Sequence, residues 1–199
     1  MLKVLIFVDF WNLQLSWNNF HKDKTIKLLW GEKLTCALMI KLGDDCIYHG
    51  TNVYASVDTT DSGAFRRFLD KISMEKGYRV VTKSRKPAKD IHCKNCNKDI
   101  LDCPHCSQRL KRSNEKGIDT TIATELLKLS FDNIFDIAIL VSGDADFVPA
   151  VEYIQGKGKQ VILAGWKNSS FELKKTCWSY FDLDDLMPQL VTHNEITSK

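Results

Sequence analysis

Four aspartates are the residues of this 199-residue chain whose types and spacing point most directly to chemistry. An apolar run at 3–8 stops at Asp9-Phe-Trp-Asn12, and a second at 137–141 stops at Ser142-Gly-Asp144-Ala-Asp146. Apolar, β-branched runs without alternation read as strands buried on both faces, the usual state in a parallel sheet covered by helices. Such strands deliver their carboxylates at their C-terminal ends, where ligands bind in open α/β sheets. The helical spacing of Ile118, Ile122, Leu126 and Leu129 puts Asp119 in a first turn, where the helix dipole favours a carboxylate. A right-handed crossover sets that turn above the same sheet edge. Asp9, Asp119, Asp144 and Asp146 are therefore expected as one cluster, and like charges held close need a cation between them. Asn12 orients Asp9 or a phosphate, or caps the segment after the strand. Helix capping accounts for any one of the aspartates, but not for all four at one edge.

A second constellation is Cys93-Lys-Asn-Cys96 followed by Cys103-Pro-His-Cys106. Two C-x-x-C pairs each form a tight knuckle, and together they supply the tetrahedral four-sulfur site that structural zinc accepts. Paired disulfides are the alternative in an oxidising compartment, and an iron–sulfur cluster has no special support from this spacing. His92 and His105 are spare candidates outside the direct ligand set. Cys36, Cys46 and Cys177 stand apart and read as buried small apolar residues.

Charge distribution supplies a third feature. The net charge is only +3, yet positions 83–116 hold ten Lys or Arg against four acids. A local basic surface of this kind suits a nucleic acid backbone, with Lys83, Arg85, Lys86, Arg109, Lys111 and Arg112 as the candidate contacts; a solvated face is the plainer reading. Trp11 and Trp166 both follow strands on the acidic edge and either stack on bases or pack at the rim.

The elements that position these residues are legible in outline. Strands are expected at 3–8, 52–57, 78–82, 137–141 and 160–164, giving a central, mostly parallel sheet of five. A first helix is expected around Leu34, Ala37, Leu38 and Leu42, and another on Phe65, Phe68, Leu69 and Ile72, with Gly77 at the following turn. A further helix through Val151 and Ile154 ends near Gly156 or Gly158, and Ser169-Ser-Phe-Glu172 reads as a capping box. With 44% hydrophobic residues, one principal domain at 1–190 is expected, interrupted by a basic cysteine-bearing insert at 85–116 and followed by a polar tail at 191–199. The absence of a long apolar stretch or a signal-peptide pattern predicts a cytoplasmic protein with no membrane partner.

The set Phe-Val-Asp9-Phe-Trp-Asn12-Leu, Lys116-Gly-Ile-Asp119 and Val-Ser142-Gly-Asp144-Ala-Asp146-Phe-Val-Pro149 resembles the NYN domain branch of the PIN-like nucleases, specifically the LabA-like group. The resemblance implies a three-layer α/β/α fold and a metal-dependent ribonuclease, with the four aspartates matching the family's acidic positions. Phe10-Trp11 stands where a glycine is common, and the cysteine insert is an addition to the simplest family pattern.

The expected reaction is phosphodiester hydrolysis, most naturally in RNA, with Mg2+ or Mn2+ on the carboxylates and zinc on the cysteines. Asp9 and Asp144 are the first choices as direct ligands. A non-catalytic RNA-binding or scaffold protein keeping the fold is the alternative. An enzyme for phosphorylated small molecules fits less well, because no Gly-rich loop follows the first strand and no second acid stands two residues after Asp9. Ser142 lacks a histidine partner and reads as support for the Asp144 loop.

Overall fold

A computed structural model of the chain describes residues 1–21, 26–58, 63–93, 95–108, 110–114, 117–167 and 169–193; the side chains of 86–89, 111–114 and 192–193 fall outside that description. In chain order the elements are β1 (Leu2–Asp9), α1 (Phe10–Phe20), β2 (Ile26–Leu28), α2 (Glu32–Leu42), β3 (Cys46–Asp58), α3 (Ala64–Ser73), β4 (Tyr78–His92), β5 (Asp99–Ile100), β6 (Lys111–Asn114), α4 (Ile118–Phe131), β7 (Ile137–Val141), a 3-10 turn (Ala145–Phe147), α5 (Val148–Gly156), β8 (Gln160–Gly165), α6 (Phe171–Thr176), β9 (Ser179–Asp182), α7 (Met187–Leu190) and β10 (Val191–His193).

Six strands form a parallel sheet in the order β4-β3-β1-β7-β8-β9. The sequence predicts five; the sixth, β9, has only four residues, too few for a periodic signal. From β1 the chain winds outward to β3 and β4, then returns to β7 on the other side of β1. The order therefore reverses between β1 and β7, and in such sheets the crevice at this switch point is the ligand site.

Alternation along β1 explains the layers. Val4, Ile6 and Val8 join one buried cluster with Leu13, Leu38 and Leu69, whereas Leu5 and Phe7 join another with Ile122, Leu126 and Val151. Helices α1, α2 and α3 thus cover one face and α4 and α5 the other, the expected three-layer arrangement. Truncating a fully buried residue such as Ile139 to Ala would cost about 2–5 kcal/mol, because it would leave a cavity under the α1–α3 layer.

Three expectations need correction. The first helix begins at Phe10, not in the thirties: Asp9 caps it by accepting the Asn12 N–H at 3.2 Å, and Phe10, Leu13 and Trp17 form its buried stripe. The cap of α6 is Ser170, whose hydroxyl accepts the Leu173 N–H, one residue later than the Ser169–Glu172 box implies. The tail is not wholly free of structure, since β10 pairs antiparallel with β2; residues 194–199 lie outside the described ones.

Strand β4 outruns the expected 78–82. Its first part pairs in parallel with β3 up to Asp58 opposite Arg85, and its second part pairs antiparallel with β6 and β5. Pairing is interrupted between Lys86 and Lys89, where Pro87 has no N–H to donate. The basic segment is thus a β-ribbon continuing from the sheet's C-terminal edge. Among the described residues no helix is long and apolar enough to cross a membrane.

Candidate active site at the sheet edge

Parallel register sets Val8 beside Val141, so the residues that follow, Asp9 and Ser142, leave adjacent strands side by side. The Ser142 hydroxyl donates to Asp9 Oδ2 at 3.3 Å and accepts the Asp144 N–H at 3.3 Å. Asp144 Oδ1 in turn accepts the Asp146 N–H at 3.0 Å and caps the 3-10 turn. Asn12 ties the two loops together, because its Oδ1 accepts the Gly143 N–H at 2.7 Å. Gly143 leaves little room for a side chain: a Cβ there would lie 3.2 Å from Ser169 Oγ and 3.3 Å from Asn12 Oδ1. Asp9 is 5% exposed, Asp144 is half-buried and Asp146 is exposed.

Asp119 stands exposed in the first turn of α4. Gly117, with φ of +94°, makes the left-handed turn that admits this helix, a conformation costly for other residues. Helix α4 packs against β1 and the 3-10 turn, so its N-terminus belongs to the same edge. Asp146 lines a groove of about 390 Å3 with Ala123, Leu127, Pro149 and Tyr153, between α4 and α5.

The four aspartates are thus arranged as a linked pair, Asp9 and Asp144, with Asp119 and Asp146 beside it. Among the described residues no three His, Cys, Asp or Glu side chains converge as a metal-ligating group. The single tight cluster expected from sequence is therefore not seen among the described residues, and Asp144 turns one oxygen onto its own loop. The donor chemistry nevertheless fits a hard divalent cation. Mg2+ retains several waters and commonly takes one or two carboxylates plus substrate phosphates, so a closed protein cage is not required.

The two C-x-x-C segments are built alike. The Cys93 and Cys103 N–H groups donate to the Lys98 and Gln108 carbonyls at 2.9 and 2.8 Å, while the Asn97 and Ser107 N–H groups return to the Cys93 and Cys103 carbonyls, each at 2.9 Å. Asn97 and Ser107 both adopt positive φ, 57° and 55°. Amide groups of Cys96 and Asn95 lower the pKa of the Cys93 thiol, and those of His105 and Cys106 do the same for Cys103. One thiol of each knuckle is thus shifted towards thiolate, but the four sulfurs do not converge among the described residues. Both His92 ring nitrogens are engaged, Nδ1 with Asp99 at 3.0 Å and Nε2 with Asn97 at 3.3 Å, and the Asp99 carboxylate raises its pKa.

Cys177 is buried, which pushes its thiol up to about 12, whereas Cys36 is exposed on the outer side of α2 and Cys46 is half-buried. Trp166 is buried, with its Nε1 donating to the Leu13 carbonyl at 3.3 Å, so packing is its role. Trp11 stays half-buried, its Nε1 donating to the Ser56 carbonyl at 2.8 Å, and Arg85 lies 5.4 Å over its ring. Lys83 is exposed. Arg109 and the side chains of Lys86, Lys111 and Arg112 lie outside the described residues.

Sequence reasoning missed Asp58, although its signal was of the kind that found Asp9. The run 52–57 also ends in aspartate, and Asp58 closes β3 four positions beyond Tyr54, the register partner of Asp9. It missed as well a partly buried polar link from α4 to the sheet, in which Glu125 accepts the Tyr54 hydroxyl at 2.6 Å and pairs with Arg79. An isolated Glu on a helix gives no local sign of such partners.

The NYN domain profile matches residues 3–184 of the chain. A solved structure of a protein of unknown function from Vibrio parahaemolyticus RIMD 2210633 is similar, with a TM-score of 0.62, 20% identity and 96% of each chain covered. At that identity the likeness extends to the fold. No curated protein matches the chain.

Proposed function

The chain belongs to the NYN domain family, within the PIN-like nuclease superfamily, and from that premise we propose that it is a metal-dependent ribonuclease of the LabA-like group. One observation carries the reading: Asp9 and Asp144, from adjacent strands at the switch point of the sheet, are linked through the Ser142 hydroxyl. Nucleases of this superfamily generally use divalent metals. A bound Mg2+ or Mn2+ would activate water and stabilise charge on the leaving oxygen.

The chain's own residues divide the remaining work. Asp9 and Asp144 would hold the cation, and Asp119 and Asp146 would stand near its outer shell. Ser142 and Asn12 fix the carboxylate-bearing loops, which lowers the reorganisation needed when substrate arrives. Arg85 and Lys83, with Lys86, Arg109, Lys111 and Arg112 of the ribbon, carry the nucleic acid backbone. The segment at 85–116 acts as an insert into the domain, and its four cysteines would hold one structural zinc; the matching backbone geometry of the two knuckles supports this.

Incubating the protein with labelled single-stranded RNA, duplex RNA and single-stranded DNA, each with Mg2+, Mn2+ or EDTA, tests the proposal. Cleavage of RNA that needs the ion is the expected result. Binding without cleavage under every condition would replace it with the non-catalytic alternative.

A further inference from the structure

On the α1 face, a groove of about 880 Å3 opens beside the acidic edge, its walls including Trp11, Gln14, His21, Trp30, Phe65 and Phe68. Its size lies within the range of small-ligand pockets, about 300–1,000 Å3. Phe10 and Trp17 are buried beneath it, but the four wall aromatics remain half-buried, so their rings serve both core and cavity. Phe65 lies 4.9 Å from both Trp11 and Phe10, and Trp30 stacks on Phe10 at 4.5 Å.

We propose that this groove receives an unpaired base of the substrate strand, next to the phosphate cleaved at the acidic edge. The proposal rests on the nuclease reading of that edge. Continuity supports it: Trp11 follows Asp9 by two residues, so the groove mouth and the carboxylate share the first turn of α1. Charge supports it too. Arg85 lies over the Trp11 ring and Lys27 is exposed along the groove, offering cations to the phosphates on either side of a bound base.

The wall chemistry suits a flat ring with polar edges. Aromatic faces accept any base by stacking, without hydrogen-bond readout. Gln14 already accepts the Trp30 Nε1–H at 3.0 Å and donates to Asn18 at 3.0 Å, which holds its amide at the groove wall. A base paired in a duplex has both faces covered by its neighbours, so the site selects single strands or unpaired loops.

The test uses wild-type protein and a single-stranded RNA dodecamer in which each base in turn is replaced by an abasic ribose, titrated in Ca2+ and in EDTA. One or two adjacent positions should lose about tenfold in affinity, and the uniform duplex should bind no better than those abasic strands. Phe65→Ala should erase the position dependence and Phe65→Tyr should retain it; the scan on wild type stands if Phe65→Ala does not fold. A flat scan, equal affinity for duplex, or no measurable binding of any single strand overturns the base site. Cleavage in Mg2+ or Mn2+ is read in parallel. Cleavage with a flat scan sinks the base site alone, whereas a position-dependent scan without cleavage supports the base site and sinks the nuclease reading.

Discussion

Asn12 Oδ1 accepts the Gly143 N–H at 2.7 Å, joining the first turn of α1 to the loop that carries Asp144 across 131 positions of sequence. Asn12→Ala would leave that N–H without its partner and cost about 1–2 kcal/mol of stability. If the brace also orders the site, the metal concentration for half-maximal cleavage should rise severalfold. A lowered melting temperature with unchanged metal dependence would make Asn12 a structural residue only.

Asp144→Asn nearly preserves shape while removing a charged oxygen ligand. The protein should fold, and cleavage at saturating substrate should fall by about a hundredfold or more. Ser142→Ala, which removes only the link between the two aspartates, should cost about tenfold. Wild-type cleavage by a clean Asp144→Asn preparation would remove Asp144 from the site.

Elemental analysis should find one zinc per chain, lost in Cys93→Ser. Because a small β-ribbon has little core of its own, hydrogen exchange near 85–116 should then accelerate more than in the parallel sheet. Alkylation at neutral pH should label the knuckle thiols once zinc is chelated, and should spare Cys177, whose buried thiol is pushed up to about 12. Protein free of any bound metal as purified would count against the zinc site.

Asp136 supplies a pH signature away from the site. Its carboxylate accepts the Lys3 N–H at 2.9 Å and lies 3.4 Å from Lys159 Nζ, and these partners, the Lys3 amide first, hold it below the usual carboxylate range. A depressed folded pKa gives stability above the ordinary aspartate value of about 4, lost as pH falls through the folded value. Asp136→Asn should cost about 1 kcal/mol at pH 7, discounted because the side chain is 33% exposed, and nothing near pH 2. Denaturant titrations at both pH values check this; an equal deficit at each contradicts it.

Replacing Arg109, Lys111 and Arg112 with Ala should weaken RNA binding and flatten its salt dependence by about two units of log–log slope, at about 0.7 per phosphate contact on single strands. Cleavage at saturation should change much less. An unchanged slope would return these residues to a solvated surface.

What sequence alone could reach follows the physics of each feature. Runs such as 137–141 announce buried parallel strands because burial on both faces removes alternation, and from them the sheet edge and its aspartates follow. Helix α1 was hidden because Trp11, Leu15 and Phe20 blur the stripe of Phe10, Leu13 and Trp17. Where the Asp144 oxygens point depends on the N–H groups its own loop presents, and a one-dimensional pattern carries no record of them. The groove was invisible for a similar reason, since its walls come from α1, the β2–α2 connection and α3.

Strand β4 runs from the sheet, opposite β3, through the irregularity at 86–89 to the first cysteine knuckle. Arg85 and His92 lie on one strand seven residues apart, about 23 Å at 3.3 Å per residue. That span sets the distance between the knuckle and the sheet's C-terminal edge. Removing two residues from it would draw the knuckle about 7 Å inward with side chains still facing as before, whereas removing one would turn every later side chain to the opposite face. Ribbon length and parity thus set how far the knuckle stands from Asp9 and Asp144 and which way it faces.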